Sequence, residues 1–268
     1  MDESGDSFHR AFVARNWAFL SDQDQLRLAQ ASVLVAGVGL GSAVAQLLVR
    51  SGVGHIIVAD GDSVEISNLN RQFYTCADLG TNKAIASSSA LTAINPAVVV
   101  TTVSEYLQVD SIVPYVDRAD IVVNTIDWDH PAQLACLEAA RERGKHALFP
   151  MNVGFGSAVF VFAPTGPTLE EVAGARLTNA ELKRHFAQRA YAANVGGEWQ
   201  PLMQLYEQSL DGGYWPSDPQ LGVAVAATAA LTVTACIRIL LGQRVRSYPE
   251  PIVLDLLRAM RVAPPPEL

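Results

Sequence analysis

The chain has 268 residues, half of them apolar and 17% charged, which is enough apolar mass for a real core and excludes general disorder. Its net charge of −8, with no basic run, excludes an extended nucleic-acid surface. Three well-separated cysteines, Cys76, Cys136 and Cys236, form no Cys-x-x-Cys pair, which argues against a zinc site of that type and fits a reducing compartment.

The first residues, Met1 to Asp6, are acidic where a signal peptide would be basic and then apolar, so a cytoplasmic protein without membrane insertion is expected. Phe8 to Gln30 reads as a helical arm, and residues 1–30 are set apart from a single domain over 31–268. Ser21-Asp-Gln-Asp24 offers a capped helix start. Val33 to Ala36 is a short apolar run followed by a glycine turn and a helix from Ala43 to Arg50, hence a buried parallel strand. His55 to Ala59 is a second strand. Lys83 to Ile94 is helical and Asn95-Pro96 stops it.

Val98 to Val103 is strand-like, Ile121 to Thr125 a buried strand, His130 to Gly144 a helix and Ala147 to Phe149 another strand. This alternation predicts an α/β fold, a doubly wound, Rossmann-like and mostly parallel sheet with its ligand off the carboxyl ends of the strands. Ser157 to Ala163 is a further strand ended by Pro164-Thr-Gly-Pro167. Residues 168–219 are polar and helix-leaning, as an inserted cap or crossover would be. Leu221 to Ile237 carries no charge, but its Ala and Thr content suits a buried helix better than a membrane span. Pro251 to Leu257 is a late strand.

Gly37, Gly39 and Gly41 let backbone amides approach a ligand closely at a helix N-terminus. Asp60 ends the second strand nineteen residues after Gly41, where an acid accepts ribose hydroxyls. A nicotinamide or flavin dehydrogenase site fits these four residues equally well. Asn68 and Arg71 follow on a loop leaving the same strand end, Lys83 opens the next helix, and Asp127 follows the Ile121 strand. An arginine, a lysine and an acid converging there neutralise phosphates and offer a magnesium ligand, for which a dehydrogenase has no use.

The set resembles the ThiF/MoeB/HesA family of ubiquitin-activating-enzyme-like adenylyltransferases. The matching pieces are Arg15-Asn16, Gln25, Val33 to Ser42, Ser51-Gly-Val-Gly54, Asp60-Gly-Asp62, Asn68-Leu-Asn-Arg-Gln72, Gly80-Thr-Asn-Lys83, Asn95-Pro96 and Asp127. The resemblance implies ATP-dependent adenylation of a carboxylate. Asp60 would hold the ribose with Asp62 nearby, Asn68, Arg71, Gln72 and Lys83 would engage the triphosphate, and Asp127 would coordinate Mg2+. Arg15 resembles the arm arginine that the family donates across a homodimer. The acid would be the C-terminus of a small ubiquitin-like or sulfur-carrier protein, a peptide, or a small molecule.

The sequence departs from the family's pattern in three places, one being the absence of the family's paired zinc-binding cysteines, which many members also lack. The glycine loop is one residue shorter than G-x-G-G-x-G. No cysteine lies between Cys136 and Cys236, where thioester-forming members carry theirs, so no thioester step is expected, and Cys76 and Cys136 read as packing residues. Trp128 and Asp129 flank the expected metal acid, and Trp128 is a candidate wall of either the adenine pocket or the substrate pocket. His130 reads as structural, and Asn152-Val-Gly-Phe-Gly156 as a turn whose glycines could admit substrate. Two other readings are an NAD(P)-dependent oxidoreductase and a non-catalytic nucleotide-binding relative.

Overall fold

The computed structural model describes residues 3–128, 130–194 and 219–260. Seven strands form one sheet: β1 Ser32–Ala36, β2 His55–Ala59, β3 Val99–Val103, β4 Ile121–Asn124, β5 His146–Val153, β6 Gly156–Phe162 and β7 Ile252–Asp255. Their order is β3-β2-β1-β4-β5-β6-β7, parallel from β3 to β5 and antiparallel thereafter. The chain runs outward from β1 to β3 and then returns to β4 on the other side of β1. The β1–β4 boundary is therefore the switch point at which such sheets open a crevice.

The central strands are apolar on both faces because helices cover both. Val33 and Val35 of β1 share one core with α3 (Gly41–Arg50) and with a long helix, α9 (Gly222–Leu240). Leu34 and Ala36 point the other way, into a core with α5 (Val113–Arg118) and α6 (Ala132–Glu142). Between β2 and β3 runs α4 (Lys83–Ile94), capped by the Asn82 side chain, which accepts from the Ala84 and Ile85 amides.

Before the sheet come α1 (Glu3–Phe12), a 3-10 turn (Ala14–Asn16) and α2 (Asp22–Gln30). Ser21 and Asp24 make the expected capping box on α2, and Leu28 is fully buried in the core shared with β1. After β6 come α7 (Leu169–Ala173) and α8 (Asn179–Ala193), inside the expected insert; the rest of that insert, residues 195–218, lies outside the described residues. A four-residue helix, α10 (Leu256–Ala259), follows β7.

The uncharged stretch forms α9, which is long and apolar enough to cross a membrane, yet half of it is buried inside the fold, against α3, β5 and β6. Its buried Thr228 and Thr232 donate to carbonyls one turn back, 2.8 and 2.7 Å away, so neither hydroxyl is left unsatisfied. Three elements differ from expectation, the first being β7, which ends at Asp255 so that Leu256 and Leu257, expected in the strand, open α10. β5 continues through Pro150 to Val153, because β6 folds back along its whole length and pairs Ala147 with Phe162 and Val153 with Gly156. α5 was not anticipated; Pro114 in its first turn supplies the start.

Candidate functional site

One cavity of about 740 Å³ opens at the carboxyl ends of β1 to β5. Its floor at the switch point is the glycine turn. Gly37 has φ 82°, and a Cβ there would lie 2.6 Å from the Thr125 carbonyl oxygen, so only glycine fits. A Cβ on Gly39 would meet the end of the Gln72 side chain at 3.2 Å. Gly41, expected to offer its amide to a ligand, is instead buried against Val35 and Thr125 and is not among the lining residues. Its role is close packing of α3 on β1 and β4.

Asp60 ties the crevice together. One carboxylate oxygen accepts from the Val38 amide at 2.8 Å and the other from the Asp62 amide at 2.9 Å. Burial pushes its pKa above the usual carboxylate range, against the pull of those two amides and of Lys83. Asn82 fixes the same corner from α4, its amide donating to the Asp60, Asp62 and Ser104 carbonyls. Tyr74 is a buried strut whose hydroxyl donates to the Val38 carbonyl at 2.6 Å and lies 3.0 Å from the Ser87 hydroxyl, joining the glycine turn to α4.

Lys83 reaches Asp62 at 2.9 Å with only a tenth of its side chain exposed. Tyr106, on the segment after β3, donates its hydroxyl to the other Asp62 oxygen. Burial raises the Asp62 pKa, but Lys83 and Tyr106 outweigh it and hold the carboxyl below its ordinary value. The hydrogen bond to that carboxylate pushes the Tyr106 phenol up to about 12.

The Asn68 to Gln72 loop forms the facing wall. Asn68 is buried and accepts from the Glu65 amide, and its carbonyl accepts from the Arg71 and Gln72 amides. Among the described residues, the Arg71 guanidinium is held by neutral acceptors only, the Ser67 carbonyl, the Asn70 amide oxygen and the Gln220 amide oxygen. Its charge is thus positioned without being cancelled by a carboxylate in these bonds. Gln72 is buried in the wall, and its Oε1 has no hydrogen-bond partner. A buried orphan of this kind is what a bound polar ligand would satisfy.

Asp127 stands exposed at the cavity mouth after β4. Among the described residues no three His, Cys, Asp or Glu side chains cluster as a metal site. Magnesium held by one carboxylate and phosphate oxygens needs no such cluster, so the donor set fits that ion when a polyphosphate brings the rest. Trp128 lines the cavity and packs edge-on against Phe149 at 4.7 Å; Asp129 lies outside the described residues. His130 does two things: its Nδ1 accepts from the Ala132 amide at the start of α6, and its ring stacks on Tyr106 in the cavity wall. Within the expected Asn152–Gly156 turn, Asn152 and Val153 still belong to β5 and Gly156 opens β6, so only Gly154 and Phe155 turn; Asn152, Val153 and Gly154 line the same cavity.

Two expected residues fall elsewhere. Arg15 is exposed on the 3-10 turn and is not among the residues lining this chain's cavity. Cys76 is exposed, not packed, because it sits on a surface 3-10 turn whose capping box turns it outward. Cys136 and Cys236 are buried, and burial pushes both thiols up to about 12. Tyr74, Tyr106 and Gln220 were not singled out from sequence, and Asn82 entered only as part of the Gly80–Lys83 motif. Tyr106 carried a signal in its place just past the carboxyl end of a parallel strand, and Asn82 in its place just before a helix.

Comparison with known proteins places the chain in a family and a fold. The chain is 36% identical over 162 residues to a sulfur carrier protein adenylyltransferase of Thermus thermophilus, covering 60% of this chain and 58% of the relative. It is 34% identical over 143 residues to the sulfur carrier protein ThiS adenylyltransferase of Escherichia coli, covering 52% and 56%. The chain thus spans somewhat over half the length of these curated relatives. Among solved structures, PaaA shares the fold with a TM-score of 0.67 at 19% identity, covering 96% of this chain and 81% of that one. E. coli MccB, solved with ATP, shares it at 0.57 and 21% identity, covering 81% and 57%. The sequence model of the ThiF family matches residues 13–266, nearly the whole chain, and the chain belongs to that family.

Proposed function

We propose that the protein activates a carboxylate by ATP-dependent adenylation. The observation that carries this reading is the meeting of Arg71, Lys83 and Asp127 in the cavity that Gly37, Gly39 and Asp60 open at the switch point. A dehydrogenase has work for the glycines and Asp60 but none for two cations and a second acid at the phosphate end. The family's adenylyltransferases, and a neighbour of the same fold solved with ATP, point the same way.

In this reading Asp60 accepts from the ribose hydroxyls, and the glycine turn brings backbone amides to the phosphates. A carboxylate oxygen of the substrate attacks the α-phosphorus and forms a new P–O bond. The bond from the α-phosphorus to the bridging oxygen breaks, and pyrophosphate leaves with the electron pair. Arg71 and Lys83, with Asn68 and Gln72, stabilise the charge that grows on the departing phosphates. Lys83 exchanges its Asp62 contact for phosphate or shares itself between them. Asp127 would hold Mg2+, which supplies charge neutralisation at the phosphates. Catalysis is then positioning and electrostatics, without a covalent nucleophile from the protein.

The substrate acid belongs to a carrier-protein C-terminus, a peptide or a small molecule, and Arg15 acts in the site of a second copy in a homodimer. The three cysteines are free thiols, in keeping with a reducing, cytoplasmic setting. The test is thermal stability with magnesium-ATP, with NAD, and with neither. A ligand at one hundred times its Kd adds about 2.7 kcal/mol. Stabilisation by magnesium-ATP that is lost in Asp127→Ala supports the reading; stabilisation by NAD alone overturns it.

A further inference from the structure

The cavity is chemically divided along the sheet. Its charged residues come from the β2–α4 connection and from the mouth of β4, with the Tyr106 hydroxyl after β3 beside them. Beyond Asp127, the wall is Trp128, Phe149, Pro150, Met151 and Val153, with Asn152 as its one polar β5 residue, closed by Ala187 of α8. Among the described residues, neither β5 nor α8 adds a Lys, Arg, Asp or Glu side chain to the cavity wall.

This apolar end is built on a rigid base. Phe149 packs against Phe186 at 5.0 Å, Phe186 against Phe160 at 4.7 Å, and Trp128 against Phe149 at 4.7 Å. Phe160 and Phe186 are fully buried, so the aromatic stack holds the wall in shape before any ligand arrives.

Its location decides which reactant it meets, on the adenylation reading above. Asp60 fixes the ribose at the end of β2, and the glycine turn fixes the α-phosphate at β1. Of the cations that receive pyrophosphate, Lys83 sits beside Asp62 on the β2 side, and Arg71 reaches from the same connection to Gln220 before α9. The attacking carboxylate must come from the opposite, β4–β5 side, and so the group behind it lies on the apolar wall.

We infer that the acid this protein activates carries a bulky apolar side chain, aromatic or branched aliphatic, on the carbon next to the carboxylate. A glycine there would leave the wall uncovered. An acidic side chain would lose its water against Trp, Phe and Met, with the neutral Asn152 amide and no cation among the described residues of this wall to replace it. Covering a site of this kind with a Leu- or Phe-sized group is worth about 10- to 100-fold in selectivity.

The test is ATP–pyrophosphate exchange by the full chain with four blocked dipeptides: N-acetyl-Gly-Phe, N-acetyl-Gly-Leu, N-acetyl-Gly-Gly and N-acetyl-Gly-Glu. Thermal stability with magnesium-ATP alone is measured in parallel. Exchange at least tenfold faster with the Phe or Leu peptide is the expected result. Equal exchange with the Gly-Gly peptide, preference for the Glu peptide, or no exchange with any of the four despite stabilisation by magnesium-ATP overturns the inference and leaves the adenylation reading standing. Absence of both magnesium-ATP stabilisation and exchange overturns the reading and the inference together. Met151→Lys supplies a gain-of-signal check: the ratio of Glu-peptide to Phe-peptide exchange should rise at least tenfold, and an unchanged ratio counts against the apolar wall as the selector.

Discussion

Arg71 donates from Nε to Gln220 Oε1 at 3.1 Å, across 149 residues of chain. This bond links the loop that faces the phosphates to a residue two before the start of α9. Gly222, two residues on, lies so close that a Cβ there would sit 2.7 Å from the Asn70 carbonyl. The guanidinium is therefore aimed from both sides, by its own loop and by the end of the crossover. Gln220→Ala should raise the KM for magnesium-ATP about three- to tenfold with a smaller change in kcat, because Ser67 and Asn70 still hold the group. Gln220→Glu should be worse than Gln220→Ala, since a carboxylate would cancel the charge meant for phosphate. The two variants compared by pyrophosphate exchange separate aiming from mere packing, and a Glu variant as active as wild type contradicts the role.

Arg71→Ala and Asp127→Ala should each reduce adenylation at least a hundredfold, the scale of one well-placed electrostatic group, about 3 kcal/mol. Both residues sit at the cavity rim, so the far-ultraviolet circular dichroism spectrum should be unchanged. Near-wild-type pyrophosphate release from either variant would sink the site assignment.

Arg15 lies exposed and outside its own chain's cavity. If it completes the site of a second copy, Arg15→Ala and Lys83→Ala proteins, each nearly inactive, should regain activity when mixed. A heterodimer would hold one site with both residues, so recovery to about a quarter of the wild-type level is expected from random pairing. Flat activity across mixing ratios argues against donation between subunits.

The Asp62–Lys83 pair sets a pH dependence. The folded Asp62 carboxyl titrates below its ordinary value, near 3.9, so its contribution is complete above that value. It is lost as pH falls through the lower folded value, where a protonated Asp62 no longer pairs with Lys83. The melting temperatures of wild type and Asp62→Asn should differ at pH 7 and converge below about pH 4. Asp60 contributes with the opposite sign, because burial raises its pKa and its folded state favours the proton. A gap that widens on acidification would mean the pair does not stabilise the fold.

What could be read from the sequence was what is local. Val33 to Ala36 and Ile121 to Asn124 declare themselves as buried strands, since parallel strands covered on both faces are apolar throughout. Asp60, Asn68, Arg71 and Lys83 fall on one loop and the helix it opens, so their spacing alone brings them together. Gln220 could not be found that way, because only the fold carries it to Arg71. β5 was read short because Pro150 interrupts the pattern, while the antiparallel partner that extends the strand comes later in the chain. Cys76 was read as packed, as a small sulfur side chain usually is, but its 3-10 turn leaves it exposed.

The two ligand-facing glycines should fail in different ways when changed to alanine. At Gly37 the backbone is left-handed and a methyl would strike the Thr125 carbonyl, a rigid backbone atom, at 2.6 Å. Gly37→Ala should therefore lower the melting temperature by several degrees, as strain at a special φ commonly does, and abolish nucleotide binding with it. At Gly39 the methyl meets only the end of Gln72, at 3.2 Å, and that side chain can turn aside. Gly39→Ala should keep the wild-type melting temperature within about a degree but lose most of the stabilisation by magnesium-ATP, because the methyl and the displaced amide occupy the floor on which the phosphates rest. Thermal melts of both variants with and without the nucleotide check this. Equal loss of intrinsic stability in the two would show that Gly39 is kept for the fold and not for the ligand.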